Sequence, residues 1–174
     1  TGIPFKCFVS TGIDPSTFLT IDSGSSRSNK DRQDIQGEQH PAELGAALGY
    51  IYNYCKRGTS AISGSGSSAP AEVIDRFKQA NPGIRNSVNY IMGLKRDKIF
   101  PQPSWCATIH FLLSKNHKAK ADAFFKALAD GVDLPEDSPV LALRTRLLKD
   151  SANKSQKDKF TFTFVGCGQY RKGI

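Results

Sequence analysis

Residues 41–57 read PAELGAALGYIYNYCKR, and the period of their apolar side chains decides the fold. Leu44, Ala47, Leu48, Ile51, Tyr54 and Cys55 recur at three- and four-residue spacings, which lines one face of an α-helix and no face of a strand. Pro41 suits the first helical position, where its fixed φ is already helical and its missing N–H is not needed. Gly58 stands where a helix of this length would stop. The stretch predicts a helix from Pro41 to about Arg57, amphipathic and in need of partners for its buried face.

The same period continues downstream. Val73, Ile74 and Phe77 predict a short helix ending at Asn81-Pro82-Gly83, and Ile84, Val88 and Ile91 predict another that ends before the basic run Lys95-Arg96-Asp97-Lys98. Pro101 and Pro103 precede a strongly apolar helix with Trp105, Ile109, Leu112 and Leu113. Its neighbour carries Ala121, Phe124, Phe125 and Leu128 and closes at Asp130-Gly131. Ser138-Pro139 opens a further helix, with Val140, Leu143, Leu147 and Leu148 inward and Arg144, Arg146 and Lys149 outward. Phe160-Thr161-Phe162-Thr163-Phe164-Val165 alternates with period two and reads as strand by propensity; the segment is open between helix and strand.

Upstream the pattern changes. Ile3-Pro4-Phe5-Lys6-Cys7-Phe8-Val9 is β-branched and aromatic and runs into Ser10-Thr11-Gly12, a strand with a terminator. A lone strand leaves its backbone groups unpaired, so this one is expected to add to a sheet supplied upstream of Thr1 or by another molecule. Asp14-Pro15 opens a short helix through Ile21. Residues 29–38, NKDRQDIQGE, read as a polar short helix, and residues 58–69, GTSAISGSGSSA, as a mobile Gly/Ser loop. The expected architecture is mainly α, a bundle of six to eight helices preceded by one β-strand. Residues 1–28 form one part and 29–174 a helical domain.

The 174 residues are 39% hydrophobic, 23% charged and 10% aromatic, which suits a globular domain with a proper core and excludes collagen-like and fully disordered chains. No apolar run of membrane-spanning length occurs, and a cytoplasmic, non-membrane protein is expected. Cys7, Cys55, Cys106 and Cys167 show no metal-ligand or disulfide-framework spacing and read as reduced, mostly buried thiols. Residues 1–58 balance six basic against six acidic side chains, while residues 59–174 carry eighteen against ten, so the net charge of +8 belongs to the later part. Such an asymmetry suits a polyanion, most obviously nucleic acid.

Several constellations bear on chemistry. Asp31, Asp34, Glu38 and His40 place carboxylates near a histidine, as metal-assisted hydrolysis requires, but at no ligand spacing in use elsewhere; a helix approach explains them as well. Gly64-Ser65-Gly66-Ser67-Ser68-Ala69 satisfies G-x-G-x-x-A without the βαβ context that gives it meaning. His110, inside an apolar helix, reads as a satisfied core histidine, and His117 as a helix start among lysines; no nucleophile elbow or triad is legible. Lys115, Lys118, Lys120 and Lys126, with Arg144, Arg146, Lys149, Lys154, Lys157 and Lys159, could neutralise several phosphates if they share a face.

The first 28 residues, TGIPFKCFVSTGIDPSTFLTIDSGSSRS, resemble the middle of the phage and prophage ParB-like proteins marked by an Asp-Gly-Gln-His-Arg motif. NPGIRNSVNYI, the stretch KADAFFKALADGVDLPEDSPVLALRTRLL and the closing GQYRKG are similar to the helical C-terminal region of that family. The resemblance implies that the motif and most of a ParB/sulfiredoxin-like sheet lie ahead of Thr1. It also implies that Asp22, Ser25, Ser26 and Arg27 stand near bound phosphate, Arg27 as a bidentate donor and Asp22 as its orienter or a Mg²⁺ ligand. Mg²⁺ or a nucleotide is implied as cofactor only with the upstream half present.

The function expected from sequence is a DNA-associated phage or prophage protein in a bacterial host cytoplasm. Its helical part would grip nucleic-acid backbone through Asp22, Ser25, Ser26, Arg27, Lys118, Lys120, Arg144, Arg146 and Lys149. Catalysis by this chain alone is not expected. The competing class is a protein–protein interaction module acting on a host or viral complex; a metal-dependent nuclease stands third.

Overall fold

The computed structural model describes residues 28–58, 71–96, 99–150 and 155–173, and within them the chain is mainly helical, with no strand. The expected strand at 3–9, the helix after Asp14-Pro15, the Asp22–Arg27 loop and the Gly/Ser stretch fall outside these residues. Seven helices follow in order: α1 (Asn29–Ile35), α2 (Pro41–Arg57), α3 (Ala71–Ala80), α4 (Gly83–Gly93), α5 (Pro103–Asp130), α6 (Pro139–Asp150) and α7 (Gln156–Lys172).

Helix α2 occupies the predicted span. Leu44, Ala47, Leu48 and Ile51 are fully enclosed, and Gly58 ends the helix at φ 62°. α2 touches α1, α3, α4 and α5, which makes it the hub of the bundle. α5 is packed by α4, α6 and α7 as well, so the core runs from Leu48 and Ile51 through Ile91, Trp105 and Ile109 to Phe124, Phe125 and Phe160. Cys55 points to solvent, because it lies at the edge of the stripe near the end of α2. Leu148 and Val73 are likewise exposed rather than inward.

The polar helix α1 has no apolar stripe to hold it and is fixed by hydrogen bonds. Ser28 and Asp31 form a reciprocal capping box at its start. The buried Lys78 Nζ of α3 donates to Gln33 Oε1 at 2.7 Å, to Glu38 Oε1 at 3.0 Å and to Gln36 Oε1. Arg85 of α4 grips the same Glu38 carboxylate through Nε, 2.8 Å from Oε2, and through Nη2. The Arg85 hydrogen bond, aided by Lys78, overcomes partial burial and holds the Glu38 carboxyl below the usual carboxylate range.

The C-terminal segment is helix. A second capping box, Ser155 with Asp158, starts it, and Gly173 in the left-handed region ends it. Its phenylalanines divide between two faces: Phe160 and Phe164, four residues apart, stack at 6.1 Å and meet Trp105 and Tyr54, while Phe162 lies under Arg146 of α6.

Candidate nucleic-acid interface

Helix α5 is broken at His117, whose φ of −144° and ψ of 46° leave the helical region. The two arms fold back on each other: His110 Nε2 and Asp122 Oδ1 are 2.7 Å apart, whereas twelve residues of straight helix would span about 18 Å. The two helices expected around Trp105 and Phe124 are therefore these arms, joined by an elbow.

A buried hydrogen-bonded chain closes the elbow. Asp122 can only accept, so Nε2–H of His110 donates to it, and Nδ1 accepts from Ser87 Oγ at 2.9 Å. Tyr90 stacks on the imidazole at 4.9 Å and donates its hydroxyl to the Asp122 carbonyl at 2.6 Å. Lys118 Nζ reaches the other Asp122 oxygen at 2.6 Å. Burial pushes His110 below its ordinary pKa, with Asp122 opposing only in part, so the imidazole is neutral at pH 7. Burial resists ionisation of Asp122, but its bonds from Lys118 and His110 prevail and hold the carboxyl low.

Ser87, His110 and Asp122 share the composition of a hydrolytic triad without its arrangement. Serine faces Nδ1 and aspartate Nε2, the reverse of the template, and Ser87 is 2% exposed between Ile84, Val88 and Ile91. A substrate carbonyl has no approach. The chain satisfies polar groups inside the bundle.

The expected basic residues divide. Lys118 and Lys120 flank the elbow and are exposed, and Lys120 Nζ donates to the Arg171 carbonyl at 2.7 Å. That bond joins the elbow to the end of α7, where Arg171 and Lys172 follow, and Lys115 stands just before the break over the Phe111 ring. Arg144 is not an outward phosphate ligand: half-buried, it donates Nη1 to the Leu128 carbonyl and lies against Gly131, closing the far end of α5. Arg146 sits 3.4 Å over the Phe162 ring, and Lys149 is exposed on α6. Leu128 lies eight residues beyond Lys120, about 12 Å along the arm, which sets Arg144 apart from the elbow. The end of α7, which carries Arg171 and Lys172, meets the elbow through the Lys120 bond.

Asp31 is spent on its cap, Glu38 on Lys78 and Arg85, and Asp34 is exposed. Among the described residues, no three His, Cys, Asp or Glu side chains converge to hold a metal ion. Asp22, Ser25, Ser26 and Arg27 lie outside those residues. No helix among them is long and apolar enough to cross a membrane.

Two features were readable but missed. Ser155-x-x-Asp158 is a helix-start signal that decides the C-terminal segment. Ser87 falls on the stripe of Ile84, Val88 and Ile91, and a polar residue there needs a buried partner such as His110. Searches against family models, curated proteins and solved structures find no match for this chain.

Proposed function

We propose that this chain is a nucleic-acid-associated protein that holds the phosphate backbone with its basic elbow, Lys115, Lys118, Lys120, Arg171 and Lys172. This is the role that a phage or prophage ParB-like kinship implies for the helical part. The observation that carries it is the bond from Lys120 to the Arg171 carbonyl, which brings together two basic segments 51 residues apart in sequence. Such a cluster binds by releasing counterions, giving strong salt dependence and little sequence preference.

The test is anisotropy of a labelled duplex of arbitrary sequence between 50 and 200 mM salt, ranges over which backbone contacts lose affinity steeply. Replacing Lys115, Lys120 and Lys172 together by Gln should lower the log–log salt slope by about one for each cation that contacts phosphate. Lys30→Gln with Lys56→Gln, on α1 and α2, should leave it unchanged. Absence of binding at low salt, or a triple variant that binds like the parent, would refute the assignment and favour a protein partner.

A further inference from the structure

His117 divides the bundle into two bodies. In the first, Tyr50 of α2 meets Trp105 on the first arm of α5 at 5.9 Å, and Gly83 of α4 lies against the Phe111 ring. In the second, Gly166 of α7 lies against Leu143 of α6 and Phe124 of the second arm, and Phe124 meets Tyr170 at 5.6 Å. The bodies join along a seam: Trp105 with Phe160 at 6.1 Å, Tyr54 with Phe164 at 5.9 Å, and His110 with Phe125 at 5.9 Å and with Asp122 at 2.7 Å. The elbow itself carries no turn chemistry. Helical hairpins ordinarily use about two to five loop residues, often with glycine. Here His117 alone leaves the helical region within α5, and residues 104–130 contain neither Gly nor Pro. Lys115, Lys118, Ala119, Lys120 and Ala121 beside it are strong helix formers. The local sequence therefore favours an unbroken helix, and the seam is what bends it.

We propose that the elbow straightens and that two copies of this chain exchange the second arm of α5 together with α6 and α7, so that the seam forms between copies. Exchange of an identical element repeats contacts that the monomer already makes, which is why it is a low-cost route to a dimer. In the hairpin His110 faces Asp122, so the arms run antiparallel about residue 116. A straight α5 of 28 residues, about 42 Å long, lies antiparallel to its copy with the same residues facing. The Lys118–Asp122 pair has i, i+4 spacing and survives straightening within its own helix. The exchange gains helix at two elbows and costs the association of two chains.

The exchange is independent of the nucleic-acid reading, since neither the seam nor His117 belongs to the proposed phosphate contacts. The full chain at about 1 mM, a concentration that favours association by mass action, is partly unfolded in urea and returned to buffer. Size-exclusion chromatography with light scattering then separates monomer from dimer. A dimer is expected, and its association constant should rank His117→Ala above the parent and the parent above His117→Gly. About thirtyfold should separate the two variants, because each dimer holds two straightened helices that differ by one alanine-to-glycine step. His117 is exposed, so neither substitution disturbs the core. In dimers of one isotope-labelled and one unlabelled chain, nuclear Overhauser contacts between His110 and Phe125, and between Trp105 and Phe160, should cross from copy to copy. A His117→Ala chain that stays monomeric, equal or reversed ranking of the variants, or a dimer whose seam contacts stay within each copy would overturn the proposal.

Discussion

His110 and Asp122, on opposite arms of one broken helix, meet at 2.7 Å, and this contact turns a linear element into a hairpin. A histidine buried on the core face of α5 needs both ring nitrogens satisfied; Ser87 and Asp122 supply them from α4 and from the second arm. Lys118 caps the same carboxylate from outside. The polar chain thus fixes where the elbow folds, and the elbow fixes where the basic cluster stands.

The stability of the protein should fall on acidification in two stages. Folded His110 titrates below its ordinary 6.5, so the unfolded chain takes the proton first. The contribution of the neutral imidazole is complete above pH 6.5 and is lost as pH drops below it. Glu38, held below 4.5 by Arg85 and Lys78, adds a second loss from about pH 4.5 downward. Urea unfolding at pH 7, 6, 5 and 4 reads both. His110→Gln should cost about 1–3 kcal/mol at pH 7 and remove the first stage; a variant retaining it would assign that stage elsewhere.

Lys78 and Arg85 share Glu38 but should differ sharply in worth. Lys78→Met keeps the aliphatic stem yet strips Gln33, Gln36 and Glu38 of a buried donor, and is expected to cost about 2–3 kcal/mol, below the full buried-pair value because Arg85 stays. The Arg85 side chain is 47% exposed, and Arg85→Gln should cost under about 1 kcal/mol. Chemical denaturation of the two single variants decides it; equal losses would show that the buried lysine holds α1 no better than the surface arginine.

Thiol reactivity should separate the described cysteines. Cys55 is exposed, while burial raises the Cys106 thiol well above its ordinary value and pushes Cys167 up to about 12. Only the thiolate is nucleophilic, so iodoacetamide at pH 8 should label Cys55 in minutes and Cys106 and Cys167 only with global unfolding. Peptide mapping by mass spectrometry checks it, and rapid labelling of Cys167 in folded protein would mean that α7 detaches.

What the sequence made legible follows from which helices have one wet side. α2 shows its stripe from Leu44 to Ile51 because its other face carries polar and small residues, and its span is as expected. α7 hid its period because Phe162, under Arg146, stands between Phe160 and Phe164, which share one face and stack on each other, and the three together mimic alternation. Arg144 occupies an outward position by spacing, and its inward turn depends on the end of a helix sixteen residues earlier. The elbow cluster was half visible: Lys118 and Lys120 stand together in sequence, whereas Arg171 and Lys172 reach them only through the folded hairpin.

Gly131 should be harder to replace than Gly173, although both end helices in the left-handed region at φ 65° and 79°. An alanine at either position meets the conformational cost, about 1 kcal/mol. At Gly131 its Cβ would also strike the Arg144 guanidinium that caps the Leu128 carbonyl, whereas at Gly173 it meets open space. Gly131→Ala should therefore cost about 2 kcal/mol, one more than Gly173→Ala. Adding Arg144→Ala in a double-mutant cycle should recover the difference; additive effects would mean that guanidinium and glycine act independently.

Gly45 and Gly168 should respond to alanine with opposite signs. Both lie inside helices, where alanine is ordinarily better by about 1 kcal/mol. A Cβ at Gly168 meets nothing within 4 Å, so Gly168→Ala should stabilise by about that amount. At Gly45 the new atom would stand 2.8 Å from the Asn29 carbonyl carbon and the Lys30 nitrogen, both backbone, and cannot be relieved by a side-chain rotation. α1 would have to lift from α2, straining the bonds that Gln33 and Gln36 make to Lys78. Overpacking of this kind costs about 1–3 kcal/mol, enough to reverse the propensity gain. Thermal unfolding of the two variants tests it, and hydrogen exchange should show loosened amides in α1 for Gly45→Ala alone. Stabilisation by alanine at Gly45 would show that α1 sits farther from α2 than this close approach allows.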